Sequence, residues 1–236
     1  MHVLGDAEML ALWERGAARH PLDRALLLCG RVRDDVAPDE LADLPLGVVN
    51  AALLRLRRAC FGRRIAARAT CPRCRGELEL VLDADRLADA AVEPGADREA
   101  SVDGFRFRLP TARDLAAVSD GADAQATALR LLERCCVGRP ADAARPLELL
   151  LEEAERQLEA LDPGADLELA VTCEACGHAW HASLDAGALV WQEIAARAAT
   201  VLAEVHRLAL AYGWSEREIL ALSPQRRAMY LELGTA

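Results

Sequence analysis

Thr70-Cys71-Pro72-Arg73-Cys74 and Thr172-Cys173-Glu174-Ala175-Cys176 decide the reading of this 236-residue chain. Each is a Cys-x-x-Cys knuckle, and 98 residues separate Cys74 from Cys173. The likeness runs past the cysteines. At a constant offset of 102, Thr70, Cys71, Cys74, Leu82, Asp83, Ala84 and Leu87 align with Thr172, Cys173, Cys176, Leu184, Asp185, Ala186 and Leu189. A strand-like run adjoins each knuckle: Gly76 to Leu82 follows the first, and Leu167 to Val171 precedes the second. The two stretches read as halves of one zinc ribbon, closed in space and split in sequence by a long insertion.

The chemistry asks for this pairing. One knuckle supplies two thiolates, whereas tetrahedral zinc takes four ligands, so Cys71, Cys74, Cys173 and Cys176 together complete a closed structural site. The usual gap between such pairs is only about 15–20 residues. Competing readings are two disulfides, a thioredoxin-like redox motif, or His178 or His181 in place of a cysteine. No βαβ pattern surrounds either knuckle, which does not suit the redox motif. His178 follows Cys176 by two residues and has no counterpart near Cys74. A closed four-thiolate site leaves no open position for substrate. The expectation is one structural Zn2+ per chain and no catalysis at the metal.

Working outward, the composition is 53 % hydrophobic but only 4 % aromatic, so the core must be mostly Leu, Ala and Val. That favours helices. There is no lysine, and the net charge is −10, which argues against nucleic acid as the main partner. No apolar run reaches membrane-spanning length. No basic region followed by an apolar one opens the chain, so no signal peptide is expected. Cys29, Cys60, Cys135 and Cys136 lie in apolar helical stretches and read as buried free thiols of a reducing cytosol.

In chain order, residues 6–31 read as two short helices, the second starting at Pro21. Leu46, Val49, Leu53, Leu56 and Cys60 form one apolar stripe of a helix over 45–61, stopped by Gly62. Asp83 to Asp103 is acidic, with a loop at Pro94 and Gly95. Phe105 to Leu109 alternates as a half-buried strand. Thr111 with Asp114 suits a helix N-cap. Helices are expected over about 112–119, 122–136 and 147–161. The longest, about 188–211, carries Trp191, Ile194, Ala198, Val201, Val205 and Leu208 at helical spacing, with packing on its own domain as the default over a partner helix. Ser215 with Glu218, and Ser223-Pro224, start two short helices. Trp214 and Tyr230 are candidate partner-binding side chains, with Arg226 and Arg227 beside them.

From Arg55 to Arg75 there are eight arginines and no acid. The run reads either as a patch for an acidic partner or nucleic acid, or as charges serving the helix dipole and the thiolate-bound metal. The five histidines, His2, His20, His178, His181 and His206, are scattered; no Ser-His-Asp or His-Glu motif with catalytic spacing appears, and no phosphate-cradling loop.

Several stretches resemble the baseplate hub assembly chaperone family of T-even (T-four-type) contractile phage tails, in its zinc-ribbon branch, which also occurs with phage-derived contractile injection systems. They are Leu12-Trp13-Glu14-Arg15-Gly16 with Pro21 to Ala25; Leu44-Pro45-Leu46-Gly47; the two knuckles; Phe107 to Thr111 with Asp114-Leu115; and His206 to Ala209, Tyr212 to Glu216, Ile219 to Pro224, Arg226-Arg227 and Tyr230-Leu231. The resemblance spans nearly the whole chain. It implies a non-enzymatic assembly factor or structural hub component that binds hub, spike or tube proteins. Such a factor would be cytoplasmic in the bacterial cell, or carried into the tail particle, with no small-molecule substrate and no membrane. The alternative is a zinc-ribbon nucleic-acid-binding regulator.

The expected fold class is α+β, mainly α-helical: a helical bundle around a split four-cysteine zinc ribbon with short antiparallel strands. Its expected parts are an N-terminal helical region (1–64), the split ribbon (65–87 plus 166–186), an inserted strand–helix region (88–165), and a C-terminal long helix with a helical tail (187–236).

Overall fold

The structure is a computed structural model that describes residues 3–90, 98–121, 123–140 and 145–234. The fold is α+β and mainly helical, with small antiparallel sheets. Helices α1 (Asp6–Gly16) and α2 (Pro21–Cys29) open the chain. Their junction is fixed by Arg24, which donates to the carbonyl oxygens of Gly16 at 3.0 Å and Ala17 at 2.8 Å. These are orphan acceptors at the end of α1. Helix α3 (Leu46–Phe61) ends at Gly62, whose φ of 84° is open to glycine. The sequence suggests one apolar stripe on α3. The structure buries Val48, Ala51, Ala52 and Leu54 as well, because α2 and the helices over Ala84–Ala90 and Ala186–Tyr212 surround α3.

Strands β1 (Arg64–Thr70) and β2 (Glu77–Asp83) form an antiparallel hairpin across the first knuckle, and α4 (Ala84–Ala90) follows. The sequence reading has a strand on only one side of each knuckle; the structure has one on both. β1 is made by pairing more than by its own pattern. It is mostly small or charged residues, and Ile65 opposite Leu82 is its one large apolar pair.

The inserted region holds β3 (Glu99–Val102), β4 (Phe105–Arg108), α5 (Ala112–Val118), α6 (Ala124–Cys135), β5 (Cys136–Gly138) and α7 (Leu151–Leu161). β3-β4-β5 is one antiparallel sheet. β3 and β4 are joined by Asp103-Gly104, both at positive φ, as a two-residue hairpin of this twist requires. The helix expected to run to residue 136 stops at Cys135, and Cys136 begins β5. The helix expected from 147 begins at Leu151, after a single 3-10 turn at Leu147–Leu149. The loop expected at Pro94 and Gly95 lies outside the described residues.

β6 (Glu168–Thr172) and β7 (Ala179–Ser183) make the second hairpin, and α8 (Ala186–Tyr212) follows. Helices α4 and α8 begin at Ala84 and Ala186, so the offset of 102 recurs as a structural repeat: strand, knuckle, strand, helix. Gly213 ends α8 in the left-handed conformation. Then come α9 (Glu216–Leu220) and α10 (Pro224–Leu233), capped by Ser215 and Ser223 as their sequences suggest.

One core joins α1, α2, α3 and α8 through Leu12, Leu28, Leu53, Leu54, Val190 and Ile194, and the base of the second hairpin enters it at Leu167 and Ala186. Gly16 is needed there: a Cβ would lie 2.4 Å from the ring of Trp191. A second core belongs to the insertion, where Phe105 and Phe107 pack with Leu132, Leu150 and Ala154. The four knuckle cysteines are in neither core. The helices pack on one another, and the hairpin tips carry the cysteines. The apolar stripe of α8 packs within the chain: Ile194, Ala198, Val201 and Leu208 are fully buried. Among the described residues no helix is long and apolar enough to cross a membrane.

Candidate metal centre

Each knuckle is a tight turn closed by two backbone hydrogen bonds. In the first, Cys71 N–H donates to Gly76 O at 2.9 Å, and Arg75 N–H donates to Cys71 O at 2.9 Å. In the second, Cys173 N–H donates to His178 O and Gly177 N–H to Cys173 O, both at 2.8 Å. Arg75 and Gly177 are equivalent under the repeat and share a positive φ of 62° and 68°. The hairpins therefore present their thiols in the same way.

The Sγ atoms of Cys71, Cys74, Cys173 and Cys176 all lie within 4.8 Å of one another, a group that can hold a metal ion. Cys71 Sγ is 3.7 Å from Cys176 Sγ, and Cys74 Sγ is 3.6 Å from Cys173 Sγ. The repeat maps the first pair onto the second, as a two-fold relation between the hairpins would. A metal with bonds of about 2.3 Å to sulfur at the centre of a tetrahedron has edges of about 3.8 Å, so these separations fit a tetrathiolate site. They do not fit disulfides, which need about 2.05 Å, and all eight cysteines are free. The histidine alternative also falls. His178 stacks on Trp180 at 6.0 Å, and His181 faces Glu168.

The electrostatics ask for a cation. Burial opposes ionisation of Cys71, yet the backbone N–H groups of Cys74 and Arg73 outweigh it and bring the thiol down to about 7. At Cys176 the backbone N–H of His178 favours the thiolate. Burial and the three neighbouring thiols overrule it and push the group up to about 11. Thiolates this close repel one another. A bound divalent metal reverses that, since a coordinating thiol is deprotonated outright.

Four of the eight arginines in the basic run beside this centre are paired with acids within the chain. Arg57 is buried; it donates to both carboxylate oxygens of Glu193 on α8 and to the carbonyls of Gly62 and Arg64. It fastens α3, β1 and α8 together. Arg58 pairs with Asp85, Arg63 with Asp83, and Arg68 with Glu79 across the hairpin. Arg73 and Arg75 are exposed at the knuckle.

The C-terminal candidates divide. Arg227 is 1 % exposed and pairs with Asp6 and Glu204, so it is an internal tie and offers nothing to a partner; this corrects the surface role its sequence suggests. Burial of an arginine depends on acids brought from α1 and α8, which local sequence does not reveal. Trp214 and Tyr230 are half-buried and pack with Tyr212, at ring separations of 4.6 Å for Tyr212–Trp214 and 4.9 Å for Trp214–Tyr230. Tyr212 also donates its hydroxyl to Tyr230 O at 3.0 Å. These aromatics dock the tail on α8. Arg226 is exposed. Among the described residues, one buried polar group that the sequence did not single out is Asp162, whose Oδ2 accepts from Gly47 N–H at 3.0 Å.

No family model, no curated protein and no solved structure matches this chain.

Proposed function

We propose that the chain is a non-enzymatic assembly factor or structural component of the baseplate hub of a contractile phage tail or phage-derived contractile injection system. It acts by protein–protein binding, and one structural zinc ion holds it together. The observation that carries the reading is the convergence of four thiols from hairpins about a hundred residues apart. Soft thiolate ligands in a closed tetrahedron suit zinc in a structural role. Zinc binding in such modules is worth on the order of 10–16 kcal/mol apparent. That is enough to pin both ends of the inserted region and fix one surface for a partner.

The setting comes from the family resemblance, and the packing of its motif residues supports it. Gly16 makes room for Trp191, Gly47 lies against Asp162, and Tyr212, Trp214 and Tyr230 seat the tail. These residues serve a rigid scaffold. The partner in this reading is a hub, spike or tube protein met in the bacterial cytoplasm. A tagged pull-down from the producing cell, with protein and nucleic acid in the eluate both identified, tests it. Hub, spike or tube subunits are the expected result. Nucleic acid that is lost at high salt, with no tail protein present, would overturn it in favour of a zinc-ribbon nucleic-acid regulator. The internal pairing of Arg57, Arg58, Arg63 and Arg68 weighs against that second reading.

A further inference from the structure

A cleft of about 570 Å³ opens where the inserted region meets the start of α3 and the second hairpin. Its apolar surface comes from Leu46, Leu115, Leu131 and Leu158. Its polar groups are all acids: Glu155, Glu159, Asp162, Asp166 and Glu168. Glu155, Leu158, Glu159 and Asp162 stand at i, i+3, i+4 and i+7, so one face of α7, continued into its C-terminal residue, supplies most of the acidic side. The cleft continues into a second hollow of about 220 Å³, with which it shares Leu46, Leu115, Ala165 and Asp166. Every cationic side chain of this chain other than histidine is arginine, and there are 28 of them. Among the described residues none lines either hollow, and no histidine does.

Among the described residues these acids are not spent within the chain. Elsewhere on the surface, carboxylates such as Asp43, Asp83 and Asp103 are matched by arginines. Among the described residues, no ion pair engages Glu155, Glu159 or Asp166; Asp166 accepts only a 3.4 Å hydrogen bond from Ser183. Among the described residues Glu168 faces only the His181 imidazole, at 3.8 Å. Asp162, 1 % exposed, caps α3 with Oδ2 and leaves Oδ1 without a hydrogen-bond partner. A buried carboxylate oxygen left this way is costly until a donor reaches it. The combination is an apolar floor with an unmatched anionic rim at a boundary between two cores, where ligand sites commonly form.

We infer that this cleft docks an amphipathic helical segment of a partner protein that inserts apolar side chains between α3, α5 and α7 and sets arginine or lysine against Glu155, Glu159 and Asp166. The inference rests on the reading of the chain as a protein-binding factor and names the surface it uses. A helix laid in an apolar groove is an established mode of recognition, with anchors at helical spacing. The basic residues select the partner and speed its encounter. A small polycation would leave the leucine floor unused, and a nucleic acid would be repelled by the rim.

The test uses the full chain with zinc and a panel of 14-residue leucine–alanine helical peptides. One set carries two arginines beside the apolar face, and a matched set carries glutamate at those positions. Binding is read by fluorescence anisotropy, and its location by hydrogen exchange. The arginine peptides are expected to bind at least tenfold more tightly than the glutamate set, and to protect residues 155–168 and the start of α3. The Glu155→Arg/Glu159→Arg double variant is expected to lose at least tenfold. Both side chains are exposed, and a basic residue at position 159, in the last turn of α7, suits the helix dipole, so the variant folds. Failure of every arginine peptide to bind, binding unchanged in the double variant, or protection elsewhere would overturn the proposal. So would spermine competing as well as the peptides. The two readings fail separately. If the double variant still retains tail subunits in the pull-down, the assembly reading stands and the cleft proposal falls. If the wild-type chain retains none, the assembly reading falls and the peptide panel still decides the cleft.

Discussion

Cys74 Sγ lies 3.6 Å from Cys173 Sγ, although 99 positions separate them in the chain. The contact runs between the two hairpins, and its counterpart, Cys71 to Cys176, does the same. Neither knuckle can satisfy a tetrahedral ion alone. A metal held there would therefore act as a clasp between two elements whose connection carries its own core. Such an ion would couple the folding of either hairpin to the other, because the four thiols gather only when both are in place.

That coupling is measurable. The chain is expected to carry one zinc ion, and Cys173→Ser to lose it. Stability should fall by several kcal/mol, a part of the roughly 10–16 kcal/mol apparent binding energy of such sites. Hydrogen exchange should rise over 64–83 as much as over 168–183, although only the second hairpin is altered. Loosening confined to 168–183, or a zinc content of two, would contradict the shared site.

Gly47 and Asp162 give a second, independent prediction. A Cβ on residue 47 would lie 1.8 Å from Asp162 Oδ1. The carboxylate is held from both sides, by Gly47 N–H and by the turn that Asn50 grips through Gly164 O at 2.8 Å. It cannot simply swing away. Gly47→Ala should cost about 2 kcal/mol, the range for an overpacked buried site, where a helical glycine replaced by alanine in open space would gain. Urea unfolding measures the sign directly.

Asp114 predicts a pH dependence. It is 1 % exposed and accepts from Arg108 at 2.6 and 2.9 Å, Arg134 at 3.1 Å and Thr111. Burial pushes its carboxyl up, but Arg108 and Thr111 outweigh that and hold it down to about 2, from an ordinary 3.8. A carboxyl lowered by folding contributes stability above its unfolded value and loses it as pH falls through its folded value. Both arginines are partly open to water, which trims the contribution to about 1–2 kcal/mol. The difference in unfolding free energy between the wild type and Asp114→Asn should be constant from pH 7 down to about 4. It should then shrink toward pH 2. A difference that does not change with pH would mean that the pairing contributes no charge.

How much of this is legible in the sequence depends on how local each cause is. The cysteines were legible because two thiols per turn is a local requirement, and the second turn repeats it at a fixed offset. The caps at Thr111, Ser215 and Ser223 were legible for the same reason, each bonding a backbone N–H three residues on. β1 was not, because Ala66, Ala67 and Ala69 carry little strand signal and the ladder to β2 supplies it. β3 could have been found from Asp103-Gly104 ahead of Phe105, a hairpin dipeptide with alternation after it. Arg57, Asp162 and Arg227 could not. Charged side chains read as surface, and each of these three is buried against a partner contributed from more than a hundred residues away.

Arg227 carries the sharpest reversal and the last prediction. Its guanidinium donates to Asp6 on α1, to Glu204 on α8 at 2.9 Å and to Leu222 O at 2.9 Å, while Arg197 pairs with the same two acids. One residue of α10 thus ties the first helix, the longest helix and the tail. Removing it leaves Asp6 and Glu204 with Arg197 alone in a largely dry site. Breaking such a pair from one side costs about 3 kcal/mol. Arg227→Met, close in volume, should lose about that much, with exchange protection falling in α1, α9 and α10 together and zinc content unchanged. Arg226→Glu, one position away and exposed, should stay within about 0.5 kcal/mol of wild type. Equal stability in the two variants, measured side by side in urea, would show that the tail is not held by this arginine.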